Sequence, residues 1–301
     1  MLVSIIIPTY KRPDRLDRAI SSCLNQSYSD IEIIVVDDNN DGDDYRRETE
    51  QLMAKYTSYA RIRYIKHMKN SNGSAARNTG IANSIGEFIT FLDDDDEIAP
   101  TKIEKQVQAL NSLGDDYGVV CCGVEIITES TGRILKRVIP GTSAPAHYDF
   151  LRIRFGMSTG SNPMFTRRAI EETGLFDVSF IRHQDTEYMI RVLRKYKIHV
   201  IPEYLVKKYV FGYPNRPDIH KYLAVQEHFF DVFREDINCY PEDQRNEIYR
   251  NNWHQMCVVA IEAGDLKTAK ECYKKAEKYK RLPLKTKAHL LKRVIAAKYS
   301  R

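Results

Sequence analysis

The chain has 301 residues, 43% of them apolar, so two packed units able to bury about three quarters of their unfolded surface are expected, and disorder as the dominant state is excluded. Its 46 basic and 41 acidic residues leave a net charge of +5, too mild and too mixed to point to nucleic acid. The imbalance lies at the end, where eleven Lys or Arg from Lys274 onward face one acid, Glu277.

The first hundred residues alternate between two periods. Leu2 to Ile7 is a continuous apolar run ended by Pro8, the mark of a strand buried on both faces. A helix from Pro13 follows, with Leu16, Ile20, Cys23 and Leu24 on one face, then a strand at Ile31 to Val36 and a helix at Tyr45 to Tyr56. Arg61 to Lys66 reads as strand, Ser74 to Ser84 as helix, Glu87 to Leu92 as strand, Thr101 to Leu113 as helix and Gly118 to Val124 as strand. This order predicts an α/β fold with a mostly parallel sheet flanked by helices.

Beyond Val124 the pattern loosens. Thr128 to Arg133 reads as a hairpin turn, and the segment to about Ser161 has no clear period. Asp185 to Tyr196 is a helix, Lys197 to Ile201 a strand, and a Pro, Gly and Tyr-rich loop runs from Phe211 to Pro217. The remainder reads as helices near 218–236, 242–263, 265–279 and 283–299, the middle pair joined at Gly264-Asp265. The expected division is 1–215, with a donor-binding half 1–115 and an acceptor half 116–215, followed by a helical region 216–301. The six cysteines include no C-x-x-C, the N-terminus has no basic n-region, and no apolar run approaches the roughly 18 residues of a spanning helix. A reduced, cytoplasmic protein, neither exported nor integral to a membrane, is expected.

In α/β sheets ligands bind beyond the carboxyl ends of the strands. Three polar clusters fall there: Pro8-Thr9-Tyr10, Asp37-Asp38-Asn39-Asn40-Asp41 and Asp93-Asp94-Asp95-Asp96-Glu97. Four consecutive Asp repel one another unless a cation offsets them, and hard oxygen ligands suit Mg²⁺ or Mn²⁺. Asp37, Asn39, Asp41, Gly42 and Glu48 match an EF-hand pattern, but the loop follows a β-branched strand instead of a helix. No P-loop and no G-x-G-x-x-G after the first strand is present. Gly73-Ser74-Ala75-Ala76-Arg77-Asn78-Thr79-Gly80 opens a helix with small residues, whose amides and Arg77 suit a diphosphate. Without the acidic clusters this stretch would read as a helix start with an exposed Arg.

Together these pieces resemble the family 2 glycosyltransferases of GT-A fold. The resemblance runs through Ser4-Ile5-Ile6-Ile7-Pro8-Thr9-Tyr10, Val35-Val36-Asp37-Asp38, Ala76-Arg77-Asn78-x-Gly80 and Gly86-Glu87-Phe88-x-x-Phe91-Leu92-Asp93-Asp94-Asp95-Asp96. It continues more faintly at Gly174-Leu175-Phe176-Asp177 and Gln184-Asp185. It implies an inverting transferase that takes a sugar from a nucleotide-sugar donor, UDP-hexose or UDP-N-acetylhexosamine, to a hydroxyl of a glycan acceptor, lipid-linked, in surface polysaccharide biosynthesis. By the same resemblance Pro8, Thr9, Tyr10 and Asp38 hold the base, Asp38 accepting from a uracil ring N–H, and Arg77 lies near the diphosphate. Asp93, Asp94 and Asp95 belong to the D-x-D region, Asp93 towards the ribose and Asp95 on the Mn²⁺ or Mg²⁺ ion. Asp185 matches the second residue of the family's Glu-Asp pair and is the candidate general base. Gln184 stands where the family has glutamate.

Alternatives remain at this point. Asp185 also suits a plain N-cap, with Glu187 or Asp177 next in line as base. A nucleotidyltransferase of related fold, or a non-catalytic sugar-nucleotide or divalent-cation binding module, carries some of the same features. His183 and His220 read as surface groups. Met157, Tyr204, Tyr209, Phe211 and Tyr213 suit either an acceptor sugar or packing, and Trp253 suits helix core. The final helix has Leu284, Ala288, Leu291, Ile295 and Tyr299 on one face among Lys285, Lys287, Lys292, Arg293 and Lys298. It is expected either to contact anionic membrane as a peripheral element or to pack that face on its neighbour.

Overall fold

The computed structural model describes residues 1–141, 145–211 and 218–299. Residues 142–144, within the segment lacking a period, and 212–217, most of the expected loop with Tyr213, lie outside them. The chain forms two compact units, one of residues 1–147 and 155–212, the other of 148–154 and 213–301.

The first unit follows the expected alternation: β1 (Val3–Thr9), α1 (Pro13–Leu24), β2 (Ile31–Asp37), α2 (Asp44–Met53), β3 (Ile62–Lys66), α3 (Gly73–Ala82), β4 (Phe88–Phe91), β5 (Asp96–Ile98), α4 (Lys102–Ser112), β6 (Tyr117–Thr128) and β7 (Ile134–Val138). Then come α5 (Ala146–Leu151), whose residues from Tyr148 on belong to the second unit, β8 (Met164–Thr166), α6 (Arg167–Thr173), α7 (Gln184–Val192) and β9 (Lys197–Val210). The sheet order is β3-β2-β1-β4-β8-β6-β9-β5, with β7 on β6. The long pairings, β1 with β2 and β4, β2 with β3, and β6 with β9, are parallel. The antiparallel ones involve the short β5, β7 and β8.

Several boundaries differ from the sequence expectation. Pro8 does not end β1; it pairs with Val36 in register, and the strand reaches Thr9. The helix expected at 45–56 closes with a 3-10 turn, Ala54–Tyr56. The strand expected at 197–201 runs on to Val210, because the irregular register at Cys122 and Gly123 on β6 lets β9 carry Pro202 and Glu203 and still resume pairing. Asp96 and Glu97 are strand, not loop, paired with Lys208 and Lys207. The stretch without a period is fixed by polar clamps instead. Fully buried Asn162 accepts from the Cys122 N–H at 2.7 Å and donates to the Cys122 and Met157 carbonyls at 2.8 and 3.1 Å.

The second unit is helical: α8 (Ile219–Val232), α9 (Arg234–Asn238), α10 (Glu242–Ala263), α11 (Leu266–Tyr279) and α12 (Leu284–Tyr299). The single helix expected at 218–236 is broken at Phe233 into two. Gly264, at φ +79°, ends α10 in the left-handed conformation that glycine adopts without strain, and the Asp265 side chain caps α11. Trp253 lies in the core of this unit. Residues 148–154 join it through Tyr148 and Arg152, which bond Glu247 on α10 at 3.3 and 3.0 Å.

Helix α3 is seated on β1 through Gly80, where an added Cβ would stand 2.3 Å from Cγ2 of Ile6, itself fully buried. Gly80→Ala would gain about 1 kcal/mol of helix propensity, but Ile6 on the central strand has nowhere to move, and overpacking typically costs about 1–3 kcal/mol. The variant is expected to have a lower Tm than wild type in thermal denaturation.

Candidate active site

Strands β1, β2 and β4 are parallel, so their carboxyl ends deliver Thr9, Asp38 and Asp93 to one edge. The Asp38 N–H donates to the Thr9 carbonyl at 2.9 Å. Thr9 Oγ1 donates to Asp94 Oδ2 at 2.8 Å, and the Tyr10 N–H reaches the same oxygen at 3.3 Å. Arg12 Nη1 bridges Asp94 at 3.0 Å and Asp95 at 2.7 Å. The Tyr10 side chain stays exposed, with the Lys11 ammonium 5.1 Å from its ring centroid, while Pro8 remains within β1.

The Asp38 carboxylate is buried and already accepts three bonds: from the Ser71 N–H at 2.8 Å, from Asn70 Nδ2 at 2.7 Å and from His67 Nδ1 at 2.7 Å. Four acceptor positions on a carboxylate leave room for one more donor. His67 also meets Thr79 Oγ1 at 2.8 Å, and with Lys69, Ser71 and Ala75 it lines a cavity of about 450 Å³.

The second cluster centres on Arg77. The Asn72 side chain caps α3 by accepting from the Ser74 and Ala75 N–H groups, and this places Arg77 in the first turns. Its side chain is 7% exposed, not the solvated arginine of the simplest sequence reading. Nη2 lies 2.8 Å from Asp93 Oδ1, Nη1 lies 2.8 Å from Gln184 Oε1, and Asp185 Oδ1 is 3.8 Å away. Nε is buried and has no hydrogen-bond partner among the described residues. A buried donor without an acceptor is costly.

Asp185 is the second residue of α7, and the N-cap position belongs to His183, which makes no side-chain cap bond. The plain cap is therefore not what its carboxylate does. Its carboxylate occupies space that a side chain at position 160 would fill: a Cβ on Gly160 would stand 2.7 Å from Asp185 Oδ1. Burial pushes its pKa up, the Arg77 guanidinium pulls it back, and Asp93 adds to the rise. Glu187 is buried and ion-paired to Arg191, and Asp177 accepts from the Ser179 N–H at 2.8 Å, so both have structural work.

The four aspartates are distributed, not pooled. Asp94 is pushed up to about 6 by burial, with Arg12 opposing. Asp96 is pushed up to about 7 by burial and by Asp93, and accepts from the Thr159 and Ser161 hydroxyls at 2.6 Å each. The repulsion that suggested a cation is met in part by Arg12, Arg77 and these hydroxyls, while neighbouring aspartates still raise Asp95 and Asp96. Asp95 is raised by burial, with the charge of Asp93 adding to the rise, so these two carboxylates lie within electrostatic reach. Among the described residues no three acidic, His or Cys side chains gather as a metal cage of their own. Two hard carboxylates are nevertheless the donor set with which Mg²⁺ commonly joins substrate phosphates and water, and the residues fit such an ion in that sense.

Arg12, Thr159, Gly160, Ser161 and Lys208 were not expected in the site. Lys208, whose charge lowers Asp185 and Asp95, donates to the Ser158 carbonyl at 2.8 Å. Four consecutive acids demand cations within reach, and Lys11-Arg12 directly after β1 was that signal. Elsewhere Tyr209 donates to Glu97 at 2.8 Å, Phe211 lies under Arg15 at 3.5 Å, Met157 is buried, Tyr204 is exposed, and His220 belongs to the helical unit.

A family model described as glycosyl transferase family 2 matches residues 4–174. A protein of Rickettsia felis named as an uncharacterized glycosyltransferase is 34% identical over 209 residues, covering 68% of this chain and 34% of that protein. One of Methanocaldococcus jannaschii, named likewise, is 31% identical over 222 residues, covering 71% of this chain and 72% of that protein. The chain spans about a third of the length of the first Rickettsia relatives. Among solved structures, S. aureus TarS 1-349 in complex with UDP-GlcNAc aligns with a TM-score of 0.58 at 14% identity, over 93% of this chain and 91% of that one. The mannosyltransferase PcManGT from Pyrobaculum calidifontis, in complex with GDP-Man and Mn2+, aligns with a TM-score of 0.58 at 17% identity, over 99% and 86%. At these identities the likeness is one of fold.

Gly160→Ala would thrust a methyl group at the Asp185 carboxylate, the end of a side chain that can rotate away. It is expected to leave Tm near wild type while lowering turnover, by up to about a hundredfold if Asp185 moves by about 1 Å. Thermal denaturation and steady-state kinetics on the same preparation check this.

Proposed function

The chain belongs to glycosyl transferase family 2, and on that premise we propose that it is an inverting, divalent-metal-dependent enzyme moving a hexosyl or N-acetylhexosaminyl group from a UDP-linked donor to a glycan hydroxyl. The observation that carries the proposal is the meeting of three distant segments at Arg77, with Asp93 and Gln184 each at 2.8 Å and Asp185 at 3.8 Å. Donor-side and acceptor-side groups of one displacement need to stand together in this way.

In the proposed reaction the acceptor oxygen attacks the anomeric carbon, the bond from that carbon to the diphosphate oxygen breaks, and the hydroxyl proton passes to the Asp185 carboxylate. An acceptor hydroxyl is a poor nucleophile until its proton is taken, and a carboxylate raised towards neutrality takes it better. Arg77, with its unpartnered Nε, balances charge on the departing diphosphate. A Mn²⁺ or Mg²⁺ ion held by Asp95 and Asp93 would supply Lewis-acid stabilisation of the same leaving group. The remaining acceptor position on Asp38 suits the ring N–H of uracil, and the exposed Tyr10 suits its face. A surface-polysaccharide acceptor, lipid-linked, and a cytoplasmic setting complete the reading; the free state of the cysteines supports the last.

UDP-GlcNAc and GDP-Man, the donors held in the two similar crystal structures, are natural arms of the test. With Mn²⁺ present, UDP-sugars are expected to raise Tm and GDP-Man to leave it unchanged, since a ligand that binds only the folded state stabilises it. A shift with GDP-Man alone would overturn the uridine assignment. Asp95→Ala is expected to remove the Mn²⁺-dependent part of the UDP shift, and full turnover in excess EDTA would contradict metal dependence.

Asp185→Asn is expected to reduce turnover by roughly a hundred- to ten-thousandfold, with Tm and donor-induced stabilisation close to wild type. In the wild type, activity falls as pH drops through the Asp185 pKa, and this acid limb lies above the usual carboxylate range because burial raises that pKa. Near-normal turnover in Asp185→Asn would place the base elsewhere.

A further inference from the structure

Helix α12 has two apolar faces, and only one is used inside the protein. Leu290 is buried, and Val294 and Ala297 pack with it on the core formed by α10 and α11. The other face carries Leu284, Ala288, Leu291 and Ile295, at the i, i+4, i+7, i+11 positions of a single stripe. Leu284 is 84% exposed, Leu291 61% and Ile295 47%. The stripe is therefore not the face by which the helix packs on its neighbour.

Cations border it. Lys285 and Lys292 are exposed along one edge. On the other edge Lys287 and Lys270 line a cavity of about 340 Å³ whose wall includes Cys257, Ile261 and Leu291, so apolar surface continues inward from the stripe. The exposed Lys285 and Lys292 decide which partner suits this face, since of the eleven basic residues in the last 28 positions Lys280, Lys287 and Arg293 are paired with Asp243, Glu277 and Glu262. A second copy of the chain would set like charges against each other, whereas an anionic lipid surface takes the apolar stripe into its acyl boundary while the lysine stems lie along it with their heads at the phosphates.

We propose that α12 docks the protein on an anionic lipid surface, with Leu284, Ala288, Leu291 and Ile295 in the interface and Lys285 and Lys292 on the headgroups. The attachment is reversible, of the kind a single amphipathic helix gives, and weakens with salt as the headgroup attraction is screened. It stands independently of the transferase reading.

Co-sedimentation of the full chain with vesicles tests it, using phosphatidylcholine alone and phosphatidylcholine mixed with phosphatidylglycerol. Wild type is expected to pellet at least tenfold more with the anionic vesicles. The double variants Leu291→Asp with Ile295→Asp, and Lys285→Glu with Lys292→Glu, alter exposed side chains only; each is expected to lose at least tenfold of this binding with Tm unchanged. Equal pelleting of wild type and variants, equal pelleting with both vesicle types, or no pelleting would overturn the proposal. So would light scattering showing a wild-type dimer that the Leu291→Asp, Ile295→Asp variant dissolves, because the stripe would then be an interface between copies.

Discussion

One buried guanidinium organises the catalytic unit. A cation held as far from water as Arg77 is tolerated only where anions and hydrogen-bond acceptors surround it, and here they come from β4, through Asp93, and from the start of α7, through Gln184 and Asp185. Keeping α7 in reach requires further bonds. Asn78, next to Arg77, donates to the Phe176 carbonyl and accepts from the Phe176 N–H, both at 2.9 Å. The Phe176 ring stacks on Tyr188 of α7 at 4.0 Å and meets Phe91 of β4 edge-on at 5.2 Å. Adjacent residues of α3 thus fix, by charge and by packing, where the Asp185 carboxylate stands.

The run Asp93 to Asp96 shows how environment divides labour among identical side chains. Asp94 is a clamp, held by Thr9, Tyr10 and Arg12, and it ties the end of β4 to the end of β1. Asp96 is buried behind the site against Thr159 and Ser161, and Thr159 Oγ1 in turn lies 3.1 Å from Asp93. Asp93 is paired with Arg77 at 2.8 Å and Asp95 with Arg12 at 2.7 Å, and both stay less buried than Asp94 and Asp96. The same chemical group thus meets four different environments along one run, a difference set by burial and partners alone.

Much of this was legible in the sequence because it rests on period and composition. The largely apolar β1 is buried on both faces and read as such, and Gly264-Asp265 marks the junction of α10 and α11 by local chemistry. What was not legible is held by contacts without a period. Residues 157–162 are fixed by Asn162 and by Gln106, which donates to the Asn162 carbonyl at 2.9 Å; such bonds leave no alternation of apolar and polar residues. Gly160 looks like any loop glycine until Asp185 is seen beside the space a side chain would fill. The far half of β9 hid because Pro202, Glu203, Lys207 and Lys208 interrupt its apolar pattern, although Lys207 is satisfied by Glu97 at 2.7 Å. Likewise the amphipathic stripe of α12 was visible, but not which of its two apolar faces the protein uses.

The central claim is that Arg77 sets the electrostatics of the Asp185 carboxylate. Its most direct test is the titration of the Asp185 side-chain carboxyl followed by carbon-13 NMR in the wild type, in Arg77→Lys and in Arg77→Met. Because burial raises this pKa and the guanidinium holds it down, removing the cation in Arg77→Met should move the midpoint to higher pH, while Arg77→Lys, which keeps the charge, should stay closer to wild type. An Asp185 titration that is the same in all three proteins would contradict the account.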